Sequence, residues 1–504
     1  MMVGVLLLLL VLRETEANDS CEENATGHVY FAGIFDQETG GYANFSKHHF
    51  DLTVQLINNK TDGFWDDLLP DTEIKSIRAH SGCSEHLGAP AYWSIRKWGK
   101  PLHGVVGARC SGPSMAIARV AQLEHVPQIS FSATSPKLSS TTDFPYFYRT
   151  VSPDGADGGV GATVQFMRHF GWERVTVLYS DKAWARDTAS QFTTLWAGAH
   201  TDDPVNTWHG KVPFSHMITL DADGSLSQDS VQQAFAAIPV GDPTVNTRII
   251  YLVVHAEDAW PIFKYAVESG FQADSVFVGP GSWGGESLPA HLSASLGDRT
   301  PGYFALVPFR NPAQENQQYL TRFQQYERER GMGISSSISK YGANAVDAVV
   351  TLAKALTGIP HAQRRNGTLV RTRIEQTAFA GVSGNIQFDE HGDRMNPLFT
   401  VLNAYKASTG QFEWRNVGSI GPQPGTSTIQ NQLLCWAAQQ QGCGNSPPSD
   451  RYPVPPPPPT PEASFPAWIL APIIGLLALL VGVSGKFLLQ PICPQTEHEC
   501  RETF

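Results

Sequence analysis

Residues Leu102–Phe131 read LHGVVGARCSGPSMAIARVAQLEHVPQISF. Two apolar runs, Leu102-His-Gly-Val-Val-Gly107 and Val126-Pro-Gln-Ile-Ser-Phe131, bracket a helical stretch at Met115–Leu123. The runs are continuous rather than alternating, as expected of strands covered on both faces. Strand, helix and strand in so short a span predict parallel strands joined by a crossover. The theme recurs on both sides, with strand-like runs at His28–Phe35, Arg174–Tyr179, Arg248–Val254 and Ser275–Val278. Helical patterns lie between them: Val160, Val164 and Met167 share one face, and a helix from about Asp258 closes at Gly270. Val346, Val349, Val350 and Ala353 form a stripe that ends at Gly358. The fold class is therefore α/β, and an alternation this long predicts two lobes rather than one sheet.

Composition narrows the function. The 504 residues carry 36 Lys and Arg against 47 Asp and Glu, a net charge of −11, and 41% are hydrophobic. An acidic balance without a basic cluster argues against nucleic acid as a partner, because phosphate contacts need Lys and Arg gathered on one face. No CxxC, HExxH or GxSxG occurs, so the sequence suggests no metal, no cofactor and no catalytic residues. Gly158-Gly-Val-Gly161 is not a dinucleotide fingerprint, since Val164 fills the place of the last glycine; it reads as the small-residue start of a helix. His48-His49, next to Lys47, reads as an exposed pair.

The ends set the expected compartment. Met1–Leu12 is almost wholly apolar and turns polar before Ala17, which predicts a signal peptide over 1–17. Ala463–Gly485 carries no charge and, at ~1.5 Å per residue, can cross a hydrocarbon layer of ~30 Å. With Trp468 at one interface and Lys486 just past the other, one transmembrane helix is predicted at 465–485, followed by a cytoplasmic tail at 486–504. The prediction is a single-pass plasma-membrane protein with its N-terminus outside, its exterior part joined through the proline spacer Pro453–Pro461. Sequons at Asn18, Asn24, Asn44, Asn59 and Asn366 are then candidate glycosylation sites. Cys21, Cys83, Cys110, Cys435 and Cys443 make an odd exterior set, leaving one to pair between chains or stay free.

Ligand sites in such sheets lie off the carboxyl ends of the strands. Two successive loops there, Cys110-Ser-Gly-Pro-Ser114 and Ser132-Ala-Thr-Ser-Pro136, each lead into a helix, with Ser135 a suitable N-cap and Pro136 at the first helical position. Paired helix starts offer free N–H groups and hydroxyls, a cradle for a carboxylate. On these residues alone the plainer reading, that Ser and Pro merely start helices, is favoured.

The order of the segments adds a resemblance. Gly104–Ser114, PQISFSATSPKLS at Pro127–Ser139, FPYFYRT at Phe144–Thr150, FGWERV at Phe170–Val175 and FAGVSGNIQFD at Phe379–Asp389, with Gly392-Asp-Arg394, resemble the Venus-flytrap ectodomain of class C G-protein-coupled receptors. Within that group they look closest to the metabotropic (type B) GABA receptors, and Gly444–Asp450 resembles the stretch leading into their first membrane helix. The likeness covers about residues 28–450. It implies a bilobed periplasmic-binding-protein type I fold with lobe 1 at 28–149 and 307–400, lobe 2 at 150–306, and an extension and stalk at 401–464. It also implies a Cys83–Cys110 disulfide and three crossovers between lobes that close on a small ligand (an amino acid, amine or organic acid). A homo- or heterodimer through lobe 1 would carry the signal to the membrane part.

Carried residue by residue, the resemblance implies that Ser111, Ala133 and Thr134 hold a ligand carboxylate from lobe 1. Trp184 and His255 approach from lobe 2, Asp154 stands where glutamate-sensing relatives have an aspartate, and Trp283 lines the same cleft. Two positions depart from the pattern: Ala380 replaces the acid that takes the amine in the GABA-binding pattern, and Gly281 replaces an acid of glutamate-sensing relatives. A buried ammonium without a carboxylate partner costs several kcal/mol, so both ligands are disfavoured here. A different amino acid, an organic acid, or a partner subunit without a ligand stays open. One expected span, where class C receptors have seven, leaves a truncated receptor or a single-span co-receptor, decoy or carrier as alternatives; an enzyme is expected least.

Overall fold

The computed structural model describes residues 27–36, 43–198, 210–239, 242, 245–271, 275–284, 302–308, 317–395, 397–436 and 447–451. The expected signal peptide, proline spacer, membrane helix and tail, together with Asn18, Asn24, Cys21 and Cys443, lie outside them. No helix among the described residues is long and apolar enough to cross a membrane.

Two sheets form the frame. The first is parallel throughout and runs β2 (Glu73–His80), β1 (His28–Phe35), β3 (Gly104–Gly107), β4 (Gln128–Ser130), β5 (Phe147–Arg149) from edge to edge. In the second, β7 (Lys211–Ile218), β6 (Arg174–Ser180), β8 (Ile249–Val253), β9 (Val276–Gly279) and β10 (Gly302–Pro308) are parallel. Antiparallel β13 (Phe399–Lys406) and β14 (Phe412–Ile420) follow at the β10 edge. Leaving those two aside, both sheets share one strand order: second, first, third, fourth, fifth. The sequence reading ended lobe 1 at 400 and began an extension at 401; β13 and β14 are instead hydrogen-bonded into the second sheet. A small hairpin, β11 (Ala378–Gly381) and β12 (Gly384–Gln387), stands apart from both.

Helices fill the connections. Against the first sheet lie α1 (Ala43–Asn58), α2 (Glu85–Arg96) and α3 (Ser111–Ala121); α4 (Gly159–His169), α5 (Ala183–Ala197), α6 (Gln228–Ala237) and α7 (Ala256–Glu268) belong to the second. The chain then returns through α8 (Gln317–Glu329), α9 (Lys340–Leu356) and α10 (Gly367–Glu375) to the core of the first. The stripe Val346, Val349, Val350 and Ala353 is fully buried in α9, and Gly358 takes φ +78° just past it. Gly158 precedes α4 as its N-cap, in keeping with the small-residue helix start.

The His48-His49 pair is corrected. His49 is fully buried in α1, its ring 3.7 Å from that of Phe323 and its Nδ1 3.0 Å from the Tyr319 hydroxyl. The α8 helix covers that face of α1, which composition around Lys47 does not reveal. The Cys83–Cys110 disulfide is present and joins the loop before α2 to the start of α3. Cys435 is disulfide-bonded too, and Asn403 of β13 binds both its N–H and its carbonyl.

Candidate ligand-binding cleft

In an open parallel sheet of this order the crevice opens between the first and third strands, where the chain turns off in opposite directions. In the first lobe that point lies at the ends of β1 and β3. Gly107 leaves β3 at φ +121°, and a Cβ there would sit 2.2 Å from the Ile34 carbonyl oxygen, so only glycine fits. The Ala108 carbonyl then accepts from both Ser114 Oγ (3.1 Å) and Ser130 Oγ (2.7 Å), which fixes the turn into α3. Cys110, committed to its disulfide, caps α3 without a side-chain bond. Among the described residues nothing accepts from the N–H groups of Ser111 and Gly112, two of the orphan donors at a helix start.

The second loop packs directly on the first. Ser135 N donates to Ser111 Oγ (3.1 Å), and Ser130 Oγ accepts from Ala133 N at 2.9 Å. Ser135 caps the single turn Pro136–Ser139 by accepting from Lys137 N, as its position predicts. Ala133 is fully buried and Thr134 half-buried. Among the described residues the Thr134 N–H and hydroxyl have no partner. Ser111, Gly112 and Thr134 thus bring unpaired donors together at one end of the sheet.

Asp154, where the chain has just entered the second lobe, adjoins this cradle. Its N–H donates to the Thr134 carbonyl at 2.7 Å, and its Oδ2 accepts from Trp184 Nε1 at 2.7 Å. The Trp184 indole stacks on the His255 ring, with centroids 4.7 Å apart and planes 16° from parallel. Trp184 follows β6 and His255 follows β8, the corresponding first and third strands of the second sheet, so the repeated topology places a crevice at both. His255 is the N-cap residue of α7, and Glu257 lies in that helix's first turn.

Charges complete the cleft. Arg109 pairs with the buried Asp36 at the end of β1, and Lys182 pairs with Asp258 at 2.7 Å. Burial works against the charge of Arg109, but Asp36, Tyr341 and Glu257 outweigh it and raise its pKa. Burial likewise opposes ionisation of Glu257; His255, the residue's own backbone N–H, Arg109 and Lys182 reverse it and hold its pKa below the usual carboxylate range. Arg109 and Glu257 thus each favour the charged form of the other. A direct bridge joins the lobes as well: Asp187 of α5 accepts from Ser135 Oγ (2.8 Å) and pairs with Lys137 Nζ (2.9 Å).

Ser111, Ala133, Thr134, Asp154, Trp184 and His255 are therefore brought together. Trp283 is not: it is fully buried, gives its Nε1–H to the Val254 carbonyl (3.0 Å) and meets Phe263 edge-on. It supports the end of β8 from the core side. Ala380 lies exposed on the hairpin. The Gly-Val-Ser-Gly turn after it is tied to α9 by Asp347, which accepts from the Val382 and Ser383 N–H groups, and to the first crossover by Arg394, which reaches the Ser383 and Thr150 carbonyls. Sequence reading passed over Asp36, Arg109, Lys182, Asp187 and Glu257, although Asp36 and Arg109 each follow a predicted strand within two residues.

A family model described as "Receptor family ligand binding region" matches residues 50–406. Similar proteins include glutamate receptor 3.4 of Arabidopsis thaliana, 23% identical over 73% of this chain and 38% of its own length. Metabotropic glutamate receptor-like protein E of Dictyostelium discoideum is 27% identical over 66% of this chain and 39% of its own. Gamma-aminobutyric acid type B receptor subunit 2 of Mus musculus is 23% identical over 69% and 37%. The chain spans about two fifths of the length of these relatives. Identities this even across glutamate and GABA receptors do not single out the type B group toward which the sequence reading leaned. The paired lobes, the cleft at their matching crevices and the family match agree: this chain belongs to the receptor ligand-binding-region family, as the Venus-flytrap ectodomain of class C receptors does.

Proposed function

We propose that this chain is the exterior, ligand-binding part of a membrane receptor and closes on a small molecule bearing both a carboxylate and an ammonium group. The observation that carries the reading is the juxtaposition of unpaired donors with an acid: the N–H groups of Ser111, Gly112 and Thr134 on one side and the Asp154 carboxylate, bound to Trp184, on the other, with Glu257 in the α7 turn that opens at His255, the ring stacked on Trp184. Backbone N–H groups at a helix start suit a carboxylate, and Glu257 supplies the acid that Ala380 and Gly281 lack. The reading is one of binding rather than catalysis, in keeping with relatives named as receptors. Signal peptide 1–17 and helix 465–485 would put this part outside the plasma membrane. Exposed Asn59 and Asn366 would carry glycans, with Asn44, Asn18 and Asn24 as further acceptors. A dimer through lobe 1 is supported by the apolar outer face of α2, where Leu87, Trp93 and, just beyond, Trp98 are exposed.

The test is calorimetric titration of the purified chain with a panel of amino acids, amines and organic acids. A zwitterionic amino acid should bind saturably, and Glu257→Gln should weaken it at least ten-fold with the melting temperature nearly unchanged. Thr134→Ala should weaken it several-fold. Binding of simple carboxylates with Glu257→Gln as tight as wild type would remove the ammonium from the proposal. Silence across the panel would favour a partner subunit, decoy or carrier.

A further inference from the structure

Arg149 closes β5, where the chain leaves the first lobe for the second, and its side chain is fully buried. A buried guanidinium is tolerated only when its donors are satisfied. Here Nε gives to Asp393 Oδ1 at 2.6 Å, and Nη2 gives to Ser139 Oγ at 2.7 Å, which in turn gives to Asp393 Oδ2 at 2.6 Å. Nη1 does something different. It donates to two main-chain carbonyls of the cradle loop, those of Ala133 (3.1 Å) and Ser135 (2.9 Å).

Peptide planarity turns that contact into a consequence for the cleft. A trans peptide directs its N–H opposite to its C=O. Drawing the Ala133 carbonyl toward Arg149 therefore turns the Thr134 N–H to the other side, and that is one of the donors with no partner among the described residues. The Thr134 carbonyl is held independently by Asp154 N, so both peptide planes flanking Thr134 are fixed. Joining the first crossover, just after β5, to the third, between β12 and β13, would need only the Arg149–Asp393 pair and the Arg149 N–H on the Gly392 carbonyl. The arm on the loop carbonyls adds nothing to that task.

We propose that Arg149 is a positioning residue for the cleft: its guanidinium orients the 132–139 loop so that the Thr134 N–H is presented to the ligand carboxylate, and its pairing with Asp393 ties that orientation to the third crossover. The proposal rests on the carboxylate reading of the cleft given above.

Amide hydrogen exchange on the full chain tests it, in wild type, Arg149→Lys, Ser139→Ala and Ser139→Thr, with and without glycine as the probe. Lysine keeps the charge beside Asp393 but has no planar fork with which to hold two carbonyls. Exchange in 132–139 should rise at least ten-fold in Arg149→Lys and more modestly in Ser139→Ala, with α9 unchanged, and return to wild type in Ser139→Thr. Glycine should slow the loop in wild type and Ser139→Thr, and need several-fold higher concentration in Ser139→Ala. Loop exchange as slow as wild type in both Arg149→Lys and Ser139→Ala would overturn the proposal, as would a rise spread equally over both lobes in Ser139→Ala. If Arg149→Lys does not fold, the two Ser139 variants decide. A loop that loosens in the variants while glycine leaves wild type untouched would support the role of Arg149 in orienting the loop and sink the ligand reading instead.

Discussion

The carboxylate of Asp347 sits fully buried in α9, accepting from the Val382 and Ser383 N–H groups and the Ser383 hydroxyl. Burial nevertheless dominates and pushes its pKa up to about 6, against about 3.9 for an exposed aspartate. The folded state therefore holds the proton more tightly than the unfolded chain does. The stability this provides, on the order of 3 kcal/mol, is fully present below about pH 4 and is lost as pH rises through 6. Asp347→Asn cannot titrate, so the gap in melting temperature between variant and wild type should move in favour of the variant from pH 4 to pH 6.5. Parallel curves over that range would refute it. This residue also shows what single positions hide. The Gly-Val-Ser-Gly motif was legible as a family mark, but its task of fastening a hairpin to α9 and the first crossover depends on a partner 35 positions away. Glu257 escaped notice because a lone acid in the first turn of a helix fits the helix dipole equally well.

Elements buried on both faces or carrying a full helical stripe were readable, because burial dictates every residue in them. The α9 stripe and strands β1, β6 and β8 are of this kind. Strand β2 was not, since its sequence EIKSIRAH alternates at a sheet edge with only one side covered. Nor were β13 and β14, whose antiparallel pairing with β10 is set by tertiary contacts rather than by a local pattern. Packing between two legible elements gives a measurable pair. A Cβ on Gly104 of β3 would lie 2.6 Å from Leu352 Cδ2 of α9, and Leu352 is fully buried. Gly104→Ala should cost about 1–3 kcal/mol by overpacking, and Leu352→Ala about 2–5 kcal/mol by leaving a cavity. Because the added methyl enters the space the leucine vacates, the double variant should lose less than the sum of the two, read from denaturant midpoints. Strict additivity would mean that the two sites do not share that space.

At the scale of the whole molecule, the two lobes repeat one strand order, and their crevices supply the cradle on one side and Trp184, His255 and Glu257 on the other. Composition and periodicity predicted two lobes but not how they meet, because contacts between lobes involve single side chains with no repeat. Asp187 is the clearest of these, an almost buried acid on α5 that takes the Ser135 hydroxyl and Lys137 from the cradle loop. Lys137 is largely exposed, so its ion pair is worth at most about 1 kcal/mol; the Ser135 bond adds about 0.5–1.5 kcal/mol. If the lobes close as proposed, the two contacts together would bias them toward closure by roughly 1–2 kcal/mol, a factor of about 5–30 in the closed-to-open ratio. Removing them with Asp187→Ala should enlarge the radius of gyration in small-angle scattering of the unliganded chain. Apparent ligand affinity should fall by up to the same factor, since binding must then also supply the closure. Lys137→Ala, which spares the Ser135 bond, should have the smaller effect on both. A radius unchanged by Asp187→Ala would mean that the contact accompanies closure without favouring it.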